Sequence, residues 1–378
     1  MKREAYAAAR TVSPAIHAYF ARHREEALQR GEKDLAPLPD AEAIEALIDA
    51  VFWTSLRREE GYVPRISLSF LPPSQAQEPL LFDRPLPLAP QTLTRVAPAV
   101  ERPGIHLGVW HEQGDLAVWG ITRTIPVLSF VLEVSAPGLL VIKHHSGDES
   151  RKFINVAVLE GDLIKLVEAG PSGRPELMPL LRSLLRLDSP KWGAQSATTL
   201  LQLAVSMREH GRGGLLLVVP AGTESWRESI VHPMPYAVSP SFEALAGLKQ
   251  SAAHPNDPRF WQEVLPAVET VGGLTAVDGA LVLNHRYELL GFGAKIARRQ
   301  GWPRVEQVVV TEPIEGAVAA VVHPEEIGGT RHLSAAQFVQ DQRDAVAMAA
   351  SQDGRFTVFE WSPVDSMVHA HRIETLLM

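Results

Sequence analysis

Apolar positions along this chain change their period several times, and each change marks an element. Ile44, Leu47, Ile48, Val51 and Phe52 recur at i, i+3, i+4, i+7 and i+8 behind Asp40, which predicts a capped amphipathic helix with one apolar face. Trp53 is expected to join that face. Upstream, Ser13-Pro14 reads as an N-cap followed by proline at the first helical position, opening a helix from Ala15 to about Arg30 through Ile16, Tyr19 and Phe20. At Gly61 the period falls to two: Ile66, Leu68 and Phe70 alternate with Ser67 and Ser69, as in a half-buried strand. Pro72, Pro73, Pro79, Pro85, Pro87 and Pro90 then predict an extended, turn-rich connection that cannot be a helix. From Ile105 to Leu166 strand follows strand, with turns at Gln113-Gly114 and Ser146-Gly147-Asp148. Helices ahead of a mostly antiparallel sheet make this half an α+β domain.

Pro171-Ser172-Gly173, a leucine-rich helix from Glu176 to Leu187 and Asp188-Ser189-Pro190 mark a boundary, giving domains over residues 1–188 and 189–378. Beyond it a helix from Thr198 to His210 ends at Gly213-Gly214, and the all-apolar run Leu215 to Val219 predicts a strand buried on both faces. A helix from Phe260 to Val271 should stop at Gly272-Gly273. Ala280 to Leu283 and Tyr287 to Phe292 form a hairpin over Asn284-His285-Arg286. Val308 to Val310 and Ala317 to Val322 read as strands and Ser334 to Arg343 as a helix; Ala345 to Ala350 and Phe356 to Phe359 are expected to close the sheet. The expected fold class is α/β: a C-terminal mixed-sheet domain flanked by helices, preceded by the α+β domain.

Charge and composition narrow the function. A formal net charge of -8 argues against a dedicated nucleic-acid binder. A cysteine count of 0 removes disulfides, thiolate zinc sites and a cysteine nucleophile, and fits a reducing compartment. The N-terminus shows no signal-peptide pattern, and the best membrane candidate, Thr124 to Ile142, is interrupted by Pro126, Glu133, Pro137 and Gly138 and alternates like strands. No membrane span is expected, and the cytoplasm is the simplest location. His144-His145 with Asp148 and Glu149 reads as a polar turn or a metal cluster. Trp110, His111 and Trp119 read as sheet packing or the lining of a sensor pocket.

Two stretches carry candidate chemistry. Asp278-Gly279-Ala280 places a carboxylate at the head of an apolar strand, beside residues small enough for a ligand to approach the backbone; taken alone it is also an ordinary turn before a strand. Gly328-Gly329-Thr330-Arg331-His332 brings a glycine pair, a hydroxyl, a fixed cation and an imidazole to a helix start, with Thr330 or Ser334 available as cap. That suits an anion, or a capped helix with solvated charges. Together, a carboxylate for a metal or hydroxyl and an Arg and His for phosphate charge suggest phosphoryl or nucleotidyl transfer.

The order Asp-Gly-Ala, Gly-Thr-Arg-His, helix, then apolar strand ending in Ser351 resembles the diadenylate cyclase (DAC) domain, which condenses two ATP into cyclic di-AMP. The resemblance runs from about Ala197 to Phe359. It implies that Asp278 serves the attacking 3′-hydroxyl and a Mg²⁺ or Mn²⁺ ion, and that Thr330, Arg331 and His332 hold the triphosphate. It further implies that Ser351 meets phosphate, that Gly279, Ala280 and Gly329 border the nucleotide, and that the protein works as a homodimer or higher oligomer. Leu333 stands where the family's Arg-His-Arg pattern has its second arginine, and Arg298, Arg299 or Arg304 are candidates to replace that cation. Gln352 stands where many members have glutamate. An insertion from Pro220 to Arg259 carries Trp226, Arg227 and Tyr236, which either shape the pocket or pack. The first half is similar to sensor-type domains that accompany DAC domains, notably over Phe52 to Gly61, with an unknown ligand. A nucleotide receptor for ATP or cyclic di-AMP is the competing expectation.

Overall fold

The computed structural model describes residues 5–58, 61–148, 151–167, 196–242, 245 and 258–377. The chain divides into two compact units, residues 1–175 and 176–377. The boundary expected at residue 188, the turn at Pro171-Ser172-Gly173 and the helix from Glu176 to Leu187 lie outside the described residues.

In the first unit, helices α1 (Ala7–Gln29) and α2 (Ala41–Ser55) precede a sheet of β1 (Ser67–Phe70), β2 (Leu80–Pro87), β3 (His106–Glu112), β4 (Asp115–Thr122), β5 (Phe130–Ala136), β6 (Leu139–Asp148), β7 (Arg151–Glu160) and β8 (Leu163–Leu166), with α3 (Pro90–Val96) between β2 and β3. The strand order is β2-β4-β3-β1-β5-β6-β7-β8, and among the described pairings only β1 with β3 is parallel. Asp40 caps α2 as expected, its Oδ1 accepting from the Ala43 amide at 2.7 Å, and Ile44, Leu47, Ile48 and Val51 are all fully buried. Trp53 is only half-buried, because its indole turns to donate to Asp49.

Three expectations need correction here. Ser13-Pro14 does not open a helix: α1 already runs from Ala7, and Ser13 donates to the Ala9 carbonyl at 2.6 Å inside it. Burial of Ala8, Ala9 and Val12 holds that first stretch helical despite the proline. The proline-rich connection is extended through the edge strand β2, where prolines forfeit no ladder bond the sheet needs, but Pro90 opens the helix α3 at its first position. Ser146 to Asp148 is strand rather than turn, since Asp148 pairs with Arg151.

The second unit carries α4 (Ser196–Glu209), β9 (Gly214–Val219), β10 (Tyr236–Phe242), α5 (Pro258–Leu274), β11 (Ala280–Asn284), β12 (Leu289–Ala294), β13 (Val308–Thr311), β14 (Ala320–Val322), α6 (Thr330–Asp341), β15 (Val346–Ala350), β16 (Phe356–Ser362), β17 (Met367–Arg372) and α7 (Glu374–Leu377). Its mixed sheet is ordered β10-β12-β11-β9-β15-β16-β17-β13-β14, with β9 and β11 parallel, β13 and β17 parallel, and the rest antiparallel. Ala335, Ala336, Phe338 and Val339 of α6 pack on one sheet face against Leu217, Ala347, Phe359 and Val368.

Here too the chain departs from its local signals. Gly272-Gly273 does not stop α5; a Cβ at Gly272 would lie 2.2 Å from the Ser206 hydroxyl, so the glycine lets α4 and α5 close on one another. The sheet does not end at Phe359, because β17 inserts between β16 and β13. The described part of the 220–259 insertion holds Trp226, fully buried in the core, and the edge strand β10.

No helix among the described residues is long and apolar enough to cross a membrane.

Candidate functional site

Strand register brings the two sequence motifs together. Ala280 pairs with Leu215 on β9, and Ala350 pairs with both Gly214 on β9 and Phe356 on β16. Asp278 and Gly279, which precede Ala280, therefore emerge at the same end of the sheet as Ser351, which follows Ala350. The N-terminus of α6 lies there as well, since the Arg331 guanidinium comes within 3.1 Å of the point a Cβ on Gly213 would occupy. The result is a cleft of about 650 Å³ lined by Asp278, Gly279, Ala280, Gly329, Thr330, Arg331, His332 and Ser351.

Asp278 projects into solvent, its side chain 89% exposed, and its Oδ2 accepts from Lys295 Nζ at 2.5 Å. The lysine hydrogen bond and charge, with a further contribution from Arg331, hold this carboxyl below the usual aspartate range. Gly279 fixes the direction of the aspartate. Its φ of +117° is open to glycine, and an added Cβ would lie 2.4 Å from the Gly293 carbonyl carbon on β12. Gly293 in turn lies under the Tyr236 ring, which stacks on Phe292 at 4.8 Å.

Gly329 is the N-cap of α6, and no side chain caps the helix. Neither Thr330 nor Ser334 takes the role expected of it; Thr330 is already the first helical residue and is exposed, so the Thr330 and Arg331 amides stay available to an anion, while the His332 amide donates to the Gly329 carbonyl at 2.9 Å. Arg331 is half-buried beside them. His332 is 1% exposed, its Nε2 has no hydrogen-bond partner, and its ring packs against Gly328, where a Cβ would meet Nδ1 at 2.6 Å. Burial, reinforced by Arg372, Arg355 and Arg331 and opposed by Asp353, pulls its pKa down to about 4. The imidazole is therefore neutral near pH 7, and the expected sharing of phosphate charge between Arg and His rests on Arg331.

Ser351 opens the β15–β16 turn. Its hydroxyl donates to Asp353 and accepts from the Arg355 amide at 3.1 Å, and Asp353 pairs with Arg355 at 3.4 Å. That serine hydrogen bond, with a smaller contribution from the Arg355 charge, keeps the Asp353 carboxyl below its ordinary value.

Leu333 does not line the cleft. It packs, partly buried, against the core under α6. Nor do the arginines proposed to replace its missing cation: Arg299 pairs with Glu228 at 2.7 Å and its amide donates to Asp341, Arg298 also acts on Asp341, and Arg304 faces Glu325 at 3.8 Å. The second cation is Lys295. It was not legible from the expected hairpin, because two register shifts between β11 and β12 are what bring Ala294 opposite Ala280 and so Lys295 to the Asp278 end of the strand. Asp353 did have a signal, a carboxylate before Gly354, whose φ of +86° marks a turn. Trp226 belongs to the core, and Arg227 covers its ring at 4.6 Å.

Elsewhere in the first unit, His144 is buried among Tyr19, Phe20 and His23, Trp119 donates to the Leu71 carbonyl at 2.8 Å, and Trp110 lies 4.7 Å from Phe70, so these three pack. His111, by contrast, is exposed and borders a groove with Asp40, Asp49 and Asp115; the Asp148 side chain and Glu149 lie outside the described residues.

With two cations, two carboxylates and open helix amides around one space, the cleft is suited to a polyanion accompanied by a hard cation. No curated protein matches the chain. Residues 33–123, which run from before α2 to just past β4 in the first unit, match the family model described as "Probable sensor domain DACNV", so that unit is similar to a sensor-type domain.

Proposed function

We propose that the second unit is a diadenylate cyclase, joining two ATP molecules into cyclic di-AMP with release of pyrophosphate, and that the sensor-type first unit regulates it. The observation that carries this reading is the meeting of Asp278 with Arg331, the uncapped α6 terminus and Ser351 in one cleft. Each ATP would lay its phosphates against the α6 amides and Arg331, whose planar fork matches phosphate oxygens. The 3′-hydroxyl of one ATP gives up its proton to solvent as its oxygen attacks the α-phosphorus of the other, the bond from that phosphorus to the α,β-bridging oxygen breaks, and pyrophosphate leaves. A second, reciprocal attack closes the ring. Because one cleft holds one ATP, two copies must face each other, so a homodimer or higher oligomer follows from the chemistry.

The donor set fits a hard divalent cation: Asp278 is exposed and ionised, and phosphate oxygens and water would complete the shell. Bound Mg²⁺ or Mn²⁺ would supply charge neutralisation and acidify the attacking hydroxyl. Asp278, held below the usual carboxylate range, is a weak proton acceptor at neutral pH. Its part is to orient the hydroxyl and hold the cation.

One observation favours a second reading, a receptor that binds ATP or cyclic di-AMP without turnover. Asp278 already has a cationic partner in Lys295, which competes with a metal for the same oxygen. Incubation with ATP and Mn²⁺ followed by chromatography separates the two. Cyclic dinucleotide supports the cyclase, whereas bound but unchanged ATP supports the receptor.

A further inference from the structure

A second cluster of ligand-type side chains lies on the same sheet, away from the cleft. Glu360 on β16 pairs in register with His369 on β17, and His371 follows two residues along β17, so all three project from one face. That face is the one opposite α6, because the neighbouring Phe359, Val368 and Ala370 point into the α6 core. One ligand atom from each of Glu360, His369 and His371 falls within 4.8 Å of the others.

One buried member of this cluster, His371, is poorly served by the protein alone. His371 is 3% exposed and Glu360 8% exposed. His371 Nδ1 is held by the Thr311 hydroxyl at 2.7 Å, which leaves Nε2 pointing at Glu360 Oε1 from 3.5 Å, too far for a hydrogen bond, and Nε2 has no other partner. A buried imidazole nitrogen rarely goes unused. The geometry is that of a ligating histidine: one ring nitrogen is fixed by a hydroxyl and the other is aimed at a shared point with a carboxylate. Ligand atoms on a tetrahedral zinc ion, each at about 2.0 Å, lie roughly 3.3 Å apart, close to the Nε2–Oε1 separation. Asp365 Oδ2, 2.7 Å from His369 Nε2, puts a second carboxylate beside that ring, to orient it or to complete the shell.

We propose that Glu360, His369 and His371 form a site for a divalent transition metal of the zinc class, which ties β16 to β17. Two imidazoles and a carboxylate suit such an ion better than Mg²⁺ or Ca²⁺, which take oxygen ligands. The site is independent of the nucleotide cleft: Glu360 is four residues into β16, about 13 Å along the strand from its start beside Ser351.

The test uses the full chain stripped with a chelator and titrated with Zn²⁺ against a chromophoric competitor, with Co²⁺ as spectroscopic probe. One tight equivalent is expected, with visible Co²⁺ bands of a low-symmetry site and a higher midpoint of thermal unfolding. His369→Ala and His371→Ala should weaken binding more than 100-fold and Thr311→Val about 10-fold, as loss of an orienting partner does. Asp278→Asn should bind the equivalent unchanged. His369 is partly exposed, so its variant and Thr311→Val keep the test open if His371→Ala fails to fold. Absence of a bound equivalent, or binding that His369→Ala and Thr311→Val leave intact, overturns the proposal.

Discussion

Gly279→Ala perturbs the cleft by an amount that can be worked from the structure. The new methyl would sit 2.4 Å from the carbonyl carbon of Gly293, 2.6 Å from its oxygen and 2.7 Å from its Cα. Backbone cannot turn aside as a side chain can, so the start of β11 and the end of β12 must separate by about 1 Å to restore ordinary contact. The φ of +117° is also unfavourable for alanine. Left-handed strain of about 1–2 kcal/mol and overpacking of about 1–3 kcal/mol together give a loss of roughly 2–5 kcal/mol. Hydrogen–deuterium exchange read on peptides from β11 and β12 reports that loss for the second unit alone. Protection there should fall by about 30-fold to a few thousand-fold. Because the same movement carries Asp278 away from Lys295 and Arg331, nucleotide turnover should drop by about 100-fold even where the variant stays folded. Gly329→Ala is the control: its φ is -74° and a Cβ there meets nothing within 4 Å, so it should cost less than about 1 kcal/mol. If Gly279→Ala matches the wild type in β11–β12 protection, the close approach assigned to Gly279 and Gly293 is wrong.

Other consequences follow from the same geometry. His332 and His106 are held by burial at a pKa of about 4, below the unfolded value near 6.5, so the unfolded chain takes up protons first as pH falls. Stability should therefore be full above about pH 6.5 and decline towards pH 4, by up to about 3 kcal/mol per histidine, as followed by chemical denaturation at stepped pH; imidazole resonances of both titrating near pH 6.5 would refute this. Arg331→Lys should weaken ATP binding by about tenfold in equilibrium dialysis, since an ammonium cannot reproduce the fork; unchanged affinity would remove Arg331 from the phosphate site. Leu333→Arg should not raise turnover, because residue 333 faces the core, and should cost about 1–3 kcal/mol by thermal unfolding; a gain in activity would show that residue 333 reaches the nucleotide.

Much of this architecture could be read from periodicity, because the α2 face and the apolar runs of β9, β11 and β15 are decided by burial, which sequence records directly. What escaped were elements whose local chemistry points the wrong way. Pro14 sits inside a helix and Pro85 and Pro87 inside a strand because tertiary packing and an edge position remove the usual penalty. Gly272 looked like a helix stop, yet its small size serves the contact with Ser206. In the cleft, the two motifs announced themselves through residue type, but Lys295 and Asp353 depended on strand register and turn geometry. Leu333 misled for the same reason, since adjacency to Arg331 and His332 in sequence does not place its side chain beside theirs. The Glu360–His369–His371 cluster was hidden because β17 itself was missed, and two histidines alternating on one strand face gain meaning only beside Glu360.

Turnover by the full chain decides between a cyclase and a receptor. Purified protein is incubated with ATP and Mn²⁺, and cyclic di-AMP and pyrophosphate are quantified together for the wild type and for Asp278→Asn, with circular dichroism to show that both are folded. Two pyrophosphates for each cyclic di-AMP are expected from the wild type and no product from Asp278→Asn. ATP recovered unchanged from the wild type, or equal product from the variant, would contradict that expectation.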